Sequence, residues 1–386
     1  MTPGCGASQG GSREEASPGG GIPAAPVATP SPGDAEGTAP SSREVPGTAS
    51  LPGGREGTAP SPGDAEGTAP SRGGRGGVGP SPGSVDALAV RTVLGDLPAA
   101  ELGVCDSHDH LFLRSPRLPG EELTDADAAE RQLREFAAHG GQSLVQWTPY
   151  GMGRHTGGLA ELARRTGVRL VAATGLHQAV HYAEEPPADL AELFVEELTE
   201  GVRGSVCGAA PRAGLIKVAG DFHGLGPHAR RTLTAAAEAH HATGAPIAVH
   251  LELGTGAAQV LSLLCGRLGV PPARVLLGHL GRCPDLRMQR EAARSGAWLV
   301  FDGPSRAHHA TDWRLFDSLA DLAERGYGDR LLLGGDTVTA AARAEGGVPQ
   351  VSRVLRPRVE RELGEGLARR VFVDNPAQAF AVDWKG

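Results

Sequence analysis

From about residue 88 onward, short apolar runs alternate with longer segments whose apolar residues recur at the 3.6-residue period of a helix. The longer segments, such as AAERQLREFAAH and HARRTLTAAAEAHH, predict helices. The short runs predict eight strands, which read LGVCDS (102–107), SLVQWT (143–148), RLVAAT (169–174), AGLIKVA (213–219), APIAVH (245–250), RVLLGH (274–279), AWLVFD (297–302) and RLLLGGD (330–336).

Eight strands that alternate with helices predict an α/β fold in which a parallel sheet closes into a (β/α)8 barrel, the TIM barrel. An open, doubly wound sheet is the alternative, but no glycine-rich dinucleotide fingerprint follows the first strand. We therefore expect one barrel domain over residues 86–386.

The leading segment, residues 1–85, differs sharply in composition. It contains 21 Gly and 14 Pro and no Phe, Tyr or Trp. A segment so poor in large apolar groups cannot offset the entropy cost of ordering its backbone. Its internal repeat, PSPGDAEGTAPS at 30–41 and again at 60–71, offers no apolar face for stacking. We predict a disordered extension.

Charge and cysteine content narrow the classes of function. The net charge of -8, without a long basic run, argues against a general nucleic-acid binder. No apolar stretch approaches the roughly 18 residues of a membrane span, and the amino terminus lacks the features of a secretory signal. The five scattered cysteines argue for a reducing compartment. We expect a cytoplasmic protein with a small-molecule substrate, and neither nucleic acid nor a membrane as partner.

Polar residues follow the predicted strands at the end where barrels of this kind carry their chemistry. These residues are His108 and His110 after strand one, Lys217 in strand four, and His250, His279, Asp302 and Asp336 at the ends of strands five to eight. Lys217 and His250 are 33 residues apart, and His250 and His279 are 29 apart, so each interval equals one strand–helix unit. We expect all these side chains at one rim.

Two features of this rim predict a metal site. His108 and His110 face the same side of a strand, and two imidazoles at that spacing can hold one divalent ion. Lys217 lies in an apolar run, although the chain has only one other lysine, Lys385. A buried neutral amine can react with carbon dioxide to form a carbamate, which can bridge two cations. An ion pair between Lys217 and Asp336 remains the alternative for this residue.

Seven stretches of the chain, in order, resemble the phosphotriesterase family of the amidohydrolase superfamily. They read CDSHDHLFL, LVAATGLH, AGLIKVA, PIAVH, RVLLGHLGR, LLLGGD and VDNPAQAFA. The resemblance covers about residues 100 to 382 and implies a (β/α)8 barrel with a binuclear metal centre, usually of zinc. The same ligand types suit manganese, cobalt or iron. Because many family members are dimers, the resemblance also implies a homodimer.

The resemblance implies six metal ligands: His108, His110 and Asp336 for the more buried ion, His250 and His279 for the more exposed ion, and a carboxylated Lys217 that bridges both. In the implied mechanism, a bridging hydroxide attacks a carbonyl carbon or a phosphorus, and the exposed ion polarises the oxygen of that group. Asp336 accepts the hydroxide proton and passes it towards the leaving group. Asp336 and Lys217 are therefore the predicted catalytic residues.

The sequence departs from the family pattern in two stretches that bear on the substrate. Organophosphate-hydrolysing members have an acidic residue shortly after the strand-six histidine and a histidine after the strand-seven aspartate. Here these stretches read Leu280-Gly281-Arg282 and Asp302-Gly303-Pro304, so that proton relay is missing. A lactone needs the relay less, because its leaving alkoxide stays tethered and Asp336 can protonate it directly.

We therefore predict a metal-dependent hydrolase that acts on a lactone or a carboxylic ester. Phosphotriesterase (aryldialkylphosphatase) activity is the first alternative. A non-catalytic metal-binding barrel is the second, and the presence of all six ligands argues against it.

Three further residues are predicted substrate contacts. His177 follows strand three, where lactone-hydrolysing relatives tend to carry a tyrosine. Arg282 and Arg343 could bind an anionic group of the substrate. Alternatively, both arginines are rim residues that pair with acids such as Asp285 or Glu345.

Overall fold

The computed structural model describes residues 88–203, 210–303 and 310–384. Within these ranges the chain forms a barrel of eight parallel strands with helices around it, preceded by an antiparallel hairpin. All eight predicted strands and the predicted barrel are confirmed. The predicted disordered extension, residues 1–85, lies outside the described residues, and so does Pro304.

The strands form two sheets. The small one is the hairpin of β1 (Ala89–Thr92) and β2 (Gly95–Pro98), which the hydrophobic pattern did not predict. The barrel strands are β3 (Cys105–Asp109), β4 (Ser143–Gln146), β5 (Arg169–Gly175), β6 (Leu215–Ala219), β7 (Ile247–His250), β8 (Val275–Gly278), β9 (Trp298–Asp302) and β10 (Leu331–Gly334). Their spatial order follows the chain from β3 to β10, as expected when each strand is joined to the next by a helical crossover.

The barrel closes where β10 lies beside β3. The amide of Asp336, just after β10, donates to the carbonyl of His108 in β3 at 2.9 Å. A Cβ atom on Gly334 would come within 2.5 Å of the His108 backbone, so the two strands can approach this closely only because this residue is glycine. The first and last barrel strands therefore meet at the level of the predicted site.

Eleven α-helices accompany the barrel strands within the described residues. They are α1 (Ala126–Ala138), α2 (Thr156–Thr166), α3 (Leu190–Thr199), α4 (Pro227–Thr243), α5 (Ala257–Leu261), α6 (Leu286–Arg294), α7 (Leu315–Glu324), α8 (Ala340–Ala344), α9 (Arg356–Leu363), α10 (Glu365–Arg369) and α11 (Asn375–Phe380). Asp125, Asp189 and Asp285 accept backbone N–H bonds as the N-caps of α1, α3 and α6. No helix within the described ranges is both long and apolar enough to cross a bilayer.

Alternation along the strands divides the apolar core in two. In β6, Leu215 packs inside the barrel with Trp147 and Trp298, whereas Ile216 packs outward against the helices. Val90 of the hairpin belongs to the same inner cluster. The barrel interior is therefore filled with apolar side chains, as is usual for this fold, and the polar site lies on a packed floor.

A buried ion pair links α3 to the strands beside it. Arg154, in the loop after β4, donates to Glu197 of α3 at 2.7 Å and to the carbonyl of Ala173 in β5 at 3.0 Å. The hydroxyl of Thr174 donates to the same carboxylate at 2.6 Å. Both charged side chains are almost fully buried, and Glu197 has no exposed surface. This carboxylate therefore holds a helix and two segments of the barrel together.

We expect Glu197→Ala to lower the free energy of unfolding by roughly 3–5 kcal/mol, because the substitution leaves a buried guanidinium without its partner. Chemical denaturation of the purified protein would measure this change. Glu196→Ala is the matched control, since it removes the neighbouring exposed pair with Arg203, which solvent screens. Equal losses of stability in the two variants would contradict the importance of burial.

Candidate metal centre

A cavity of about 360 Å³ opens at the carboxyl ends of the barrel strands. All six predicted metal ligands line it: His108, His110, Lys217, His250, His279 and Asp336. Apolar side chains form much of the remaining wall, namely Leu113, Leu118, Met152, Val180, Leu253 and Val338. The structure therefore brings the predicted ligands, which span 229 sequence positions from 108 to 336, into one site.

A register shift in β3 aims the first two histidines at the cavity. Cys105 packs inside the barrel, so strict alternation would send His108 and His110 outward. The pairing of β3 with β4 shifts between Asp106 and Asp109, and this irregularity reverses the alternation. Both histidines consequently line the cavity.

Two buried aspartates attach this part of β3 to the backbone after β10. One carboxylate oxygen of Asp106 accepts from the amides of His108 and Gly335, each at 3.2 Å. One oxygen of Asp109 accepts from the amide of His110 at 2.7 Å and from that of Thr337 at 2.8 Å. Burial raises the pKa of both carboxyl groups. The segment that carries the two histidines is thus fixed relative to the segment that carries Asp336.

The rings of three predicted ligands are oriented through their Nδ1 atoms. Asp302, the last residue of β9, lies 2.8 Å from Nδ1 of His108 and 2.5 Å from Nδ1 of His279. Nδ1 of His110 lies 2.7 Å from the hydroxyl of Thr148, which donates its proton to a backbone carbonyl. These partners place the ring proton on Nδ1 and leave the Nε2 lone pair of all three histidines for a metal ion.

Asp336 lies among the Nε2 atoms. Its Oδ1 atom is 3.4 Å from Nε2 of His108 and 3.6 Å from Nε2 of His110. One ligand atom each from His108, His279 and Asp336 forms a group within 4.8 Å, although the resemblance assigned His279 to the other ion. His279 therefore belongs to the same His/Asp cluster as His108 and Asp336.

Backbone strain accompanies two of these ligands. Asp336 and His279 both adopt left-handed backbone conformations, with φ of 56° and 63°. Such conformations are costly for residues other than glycine and concentrate at functional sites. His279 directly follows β8, and Asp336 lies two residues after the end of β10.

Lys217 lines the cavity and is 2 % exposed. Burial lowers the pKa of its amine to about 7, and the negative charge of Asp336 opposes this shift. A substantial fraction of the amine is therefore uncharged at neutral pH. The uncharged amine is the form that can react with carbon dioxide.

His250 differs from the other ligands in its partner and its exposure. Its side chain is 20 % exposed, whereas those of His108 and Asp336 are below 5 %. Its Nε2 atom lies 3.0 Å from the carboxylate of Glu252. The same carboxylate accepts a hydrogen bond from the side-chain amide of Gln178 at 3.0 Å. Neither Glu252 nor Gln178 was predicted from the sequence. The run His250-Leu251-Glu252 was the available signal, since it places a second polar side chain just after the strand.

The three predicted substrate contacts have different locations. His177 and Arg282 line the cavity, but Arg343 is not among the lining residues. The guanidinium of Arg343 donates instead to the backbone carbonyls of His110 and Leu111, below the cavity wall. That contact supports the loop after β3, so direct contact of Arg343 with a substrate stays an untested prediction.

Arg282 pairs with site carboxylates. Its guanidinium contacts Asp336 directly and has its Nε atom 3.5 Å from Asp302. Asp285, the acid proposed as its alternative partner, instead caps α6. Arg282 is therefore placed to neutralise part of the negative charge of the centre.

His177 is buried beside His250, with 4.5 Å between the ring centroids, and stacks on His181. Its Nδ1 atom accepts a hydrogen bond from the backbone amide of Gln178 at 2.7 Å, and this places the ring proton on Nε2. Burial lowers the pKa of His177 well below its usual value, so the ring is neutral.

Known proteins with similar sequences and structures include lactonases and organophosphate hydrolases. The phospho-furanose lactonase of Mycoplasmopsis agalactiae is 33% identical over 248 residues, which cover 59% of this chain and 70% of the relative. A lactonase of Listeria monocytogenes superposes with a TM-score of 0.71 at 26% identity, covering 76% of this chain and 98% of that one. A mutant organophosphorus hydrolase of Deinococcus radiodurans gives a TM-score of 0.67 at 28% identity, covering 75% and 97%.

The profile of the phosphotriesterase family matches residues 88–380, which include the whole barrel and every predicted ligand. This match, the barrel and the His/Asp cluster agree with one another. The chain is therefore a hydrolase that belongs to the phosphotriesterase family of binuclear metal enzymes.

Proposed function

We propose that this chain hydrolyses a lactone or a carboxylic ester at two zinc ions bridged by a carboxylated Lys217. The observation that carries the proposal is the convergence of six ligand side chains, from five strand ends, on one cavity.

The donor set suits such a centre. Neutral imidazole nitrogens and carboxylate oxygens are the ligands that zinc and related divalent ions prefer at hydrolytic sites. A carbamate on Lys217 would add the bridging carboxylate and would convert a buried cationic group into an anionic ligand. When bound, the ions supply a hydroxide nucleophile near neutral pH and polarise the carbonyl of the ester.

Residues of the chain handle the proton and orient the substrate. Asp336, fixed by its backbone bond to His108, accepts the proton of the nucleophile and returns it to the leaving oxygen. His177 lines the cavity and carries its ring proton on Nε2, and we assign to this N–H a hydrogen bond with an oxygen of the substrate. The apolar outer wall, which includes Leu118 and Val180, would contact the carbon skeleton of the substrate.

The surroundings of Asp302 favour a lactone over a phosphotriester. Both of its carboxylate oxygens are engaged by histidine ligands, and Arg282 lies close by. Gly303 follows it, so no histidine is present at that position to receive a proton. A tethered alkoxide can take its proton from Asp336 directly, whereas a departing phosphotriester leaving group would lack a relay.

We expect Lys217→Ala to lose metal ions and turnover together, because the bridging ligand is gone. The loss in metal affinity should exceed the roughly 10–100-fold that removal of an outer hydrogen-bond partner costs. Elemental analysis of the purified protein and a hydrolysis assay measure the two quantities, and Lys217→Glu should recover part of both. Lys385→Ala, which removes the other lysine of the chain, is the control. Unchanged metal content and turnover in Lys217→Ala would rule out the bridging role.

A substrate panel distinguishes the proposed reaction from its alternative. With the metal-loaded wild-type protein we expect kcat/KM to be highest for lactones, lower for aryl esters and lowest for dialkyl aryl phosphates. The phosphotriester has the least access to a proton donor for its leaving group, which explains this order. A kcat/KM for phosphotriesters above that for lactones would replace the proposal with phosphotriesterase activity.

A further inference from the structure

Glu252 and Gln178 form a side-chain arm on the outer side of the metal centre. Gln178 lies in the loop after β5, and its amide group donates to the carbonyl of Gly220, just after β6, at 2.9 Å. The same amide nitrogen donates to Glu252 at 3.0 Å, and Glu252 lies 3.0 Å from Nε2 of His250. The arm therefore runs from the end of β6 to the most exposed histidine of the site.

The turn that carries Glu252 is rigidly held. The backbone carbonyl of Glu252 accepts hydrogen bonds from the backbone amide of Thr255 at 3.0 Å and from its hydroxyl at 2.8 Å. Leu253 adopts a left-handed conformation with φ of 49°, although it is not a glycine. Gly254 lies so close to the backbone of His279 that a Cβ atom there would come within 2.6 Å of its carbonyl oxygen. The turn thus packs against the second histidine assigned to the exposed ion.

The hydrogen bond to Glu252 determines which nitrogen of His250 remains free. A histidine that binds a metal ion usually donates its other ring N–H to a carboxylate or carbonyl. At His108, His110 and His279 that donor is Nδ1, but at His250 it is Nε2. His250, which lines the cavity, therefore keeps its Nδ1 lone pair free for a metal ion.

We propose that Glu252, held in place by Gln178, is a positioning residue that orients His250 and thereby sets the affinity of the more exposed metal position. This inference rests on the proposed binuclear function. Asp302 and Thr148 orient the other three histidines, so Glu252 acts on one side of the centre alone. Its removal should weaken one ion and spare the other.

The test is a titration of metal-free protein with Zn²⁺ in competition with a chromophoric chelator. For Glu252→Ala we expect the tighter equivalent to bind as in wild type and the weaker equivalent to lose about 10–100-fold in affinity. Glu252→Gln keeps a hydrogen-bond acceptor for Nε2–H and should recover most of that loss. Gln178→Ala, which releases the carboxylate without deleting it, should show a smaller loss of the same equivalent.

Glu185→Ala is the control, because it removes the same charge from an exposed position in a neighbouring loop. If Glu252→Ala binds both equivalents as wild type does, or loses both to the same extent, the positioning role is wrong. If Glu252→Gln loses as much affinity as Glu252→Ala, Glu252 is itself a ligand and the proposal also fails. A wild-type protein that binds no Zn²⁺ would instead overturn the proposed function, so the two failures are distinguishable.

Discussion

The hydrogen bond from the amide of Asp336 to the carbonyl of His108 is the contact on which the site depends. It joins the last barrel strand to the first and so brings together ligands that lie more than 200 residues apart in sequence. Gly334 permits the approach, and Asp106 and Asp109 reinforce it with bonds to Gly335 and Thr337. The contact that closes the barrel therefore also brings the predicted ligands together.

Closure of the barrel brings charged and polar side chains together in a buried site, where they would be destabilising without partners. Lys217, Asp302 and Asp336 are all at least nine-tenths buried, and burial of ionisable groups is costly unless they are paired. The chain meets this cost with short contacts among its own side chains, including Arg282 against Asp336. Burial also lowers the pKa of His110 to about 4 and that of Lys217 to about 7, and it lowers the pKa of His279; the uncharged forms are those that metal binding requires.

Different side chains orient the histidines on the inner and the outer side of the site. Asp302 holds two ligands at once from the inner side, where solvent is excluded. Glu252 holds one ligand at the outer side, where its own side chain is about one-third exposed. Partners outside the ligand set commonly tune metal affinity. Asp302 therefore supports predicted ligands of both metal positions, whereas Glu252 supports His250 alone.

The sequence by itself determined the barrel and its eight strands, and it predicted the six side chains that the structure brings to one cavity. It could do so because alternating strands and helices allow few topologies, and because His250, His279 and Asp336 end apolar runs at regular intervals. Tertiary structure decided the reversal of alternation in β3, the sharing of Asp302, the Gln178–Glu252 arm and the position of Arg343 beneath the loop. These features depend on contacts between residues from different strands, and periodicity within a single strand carries no information about such contacts.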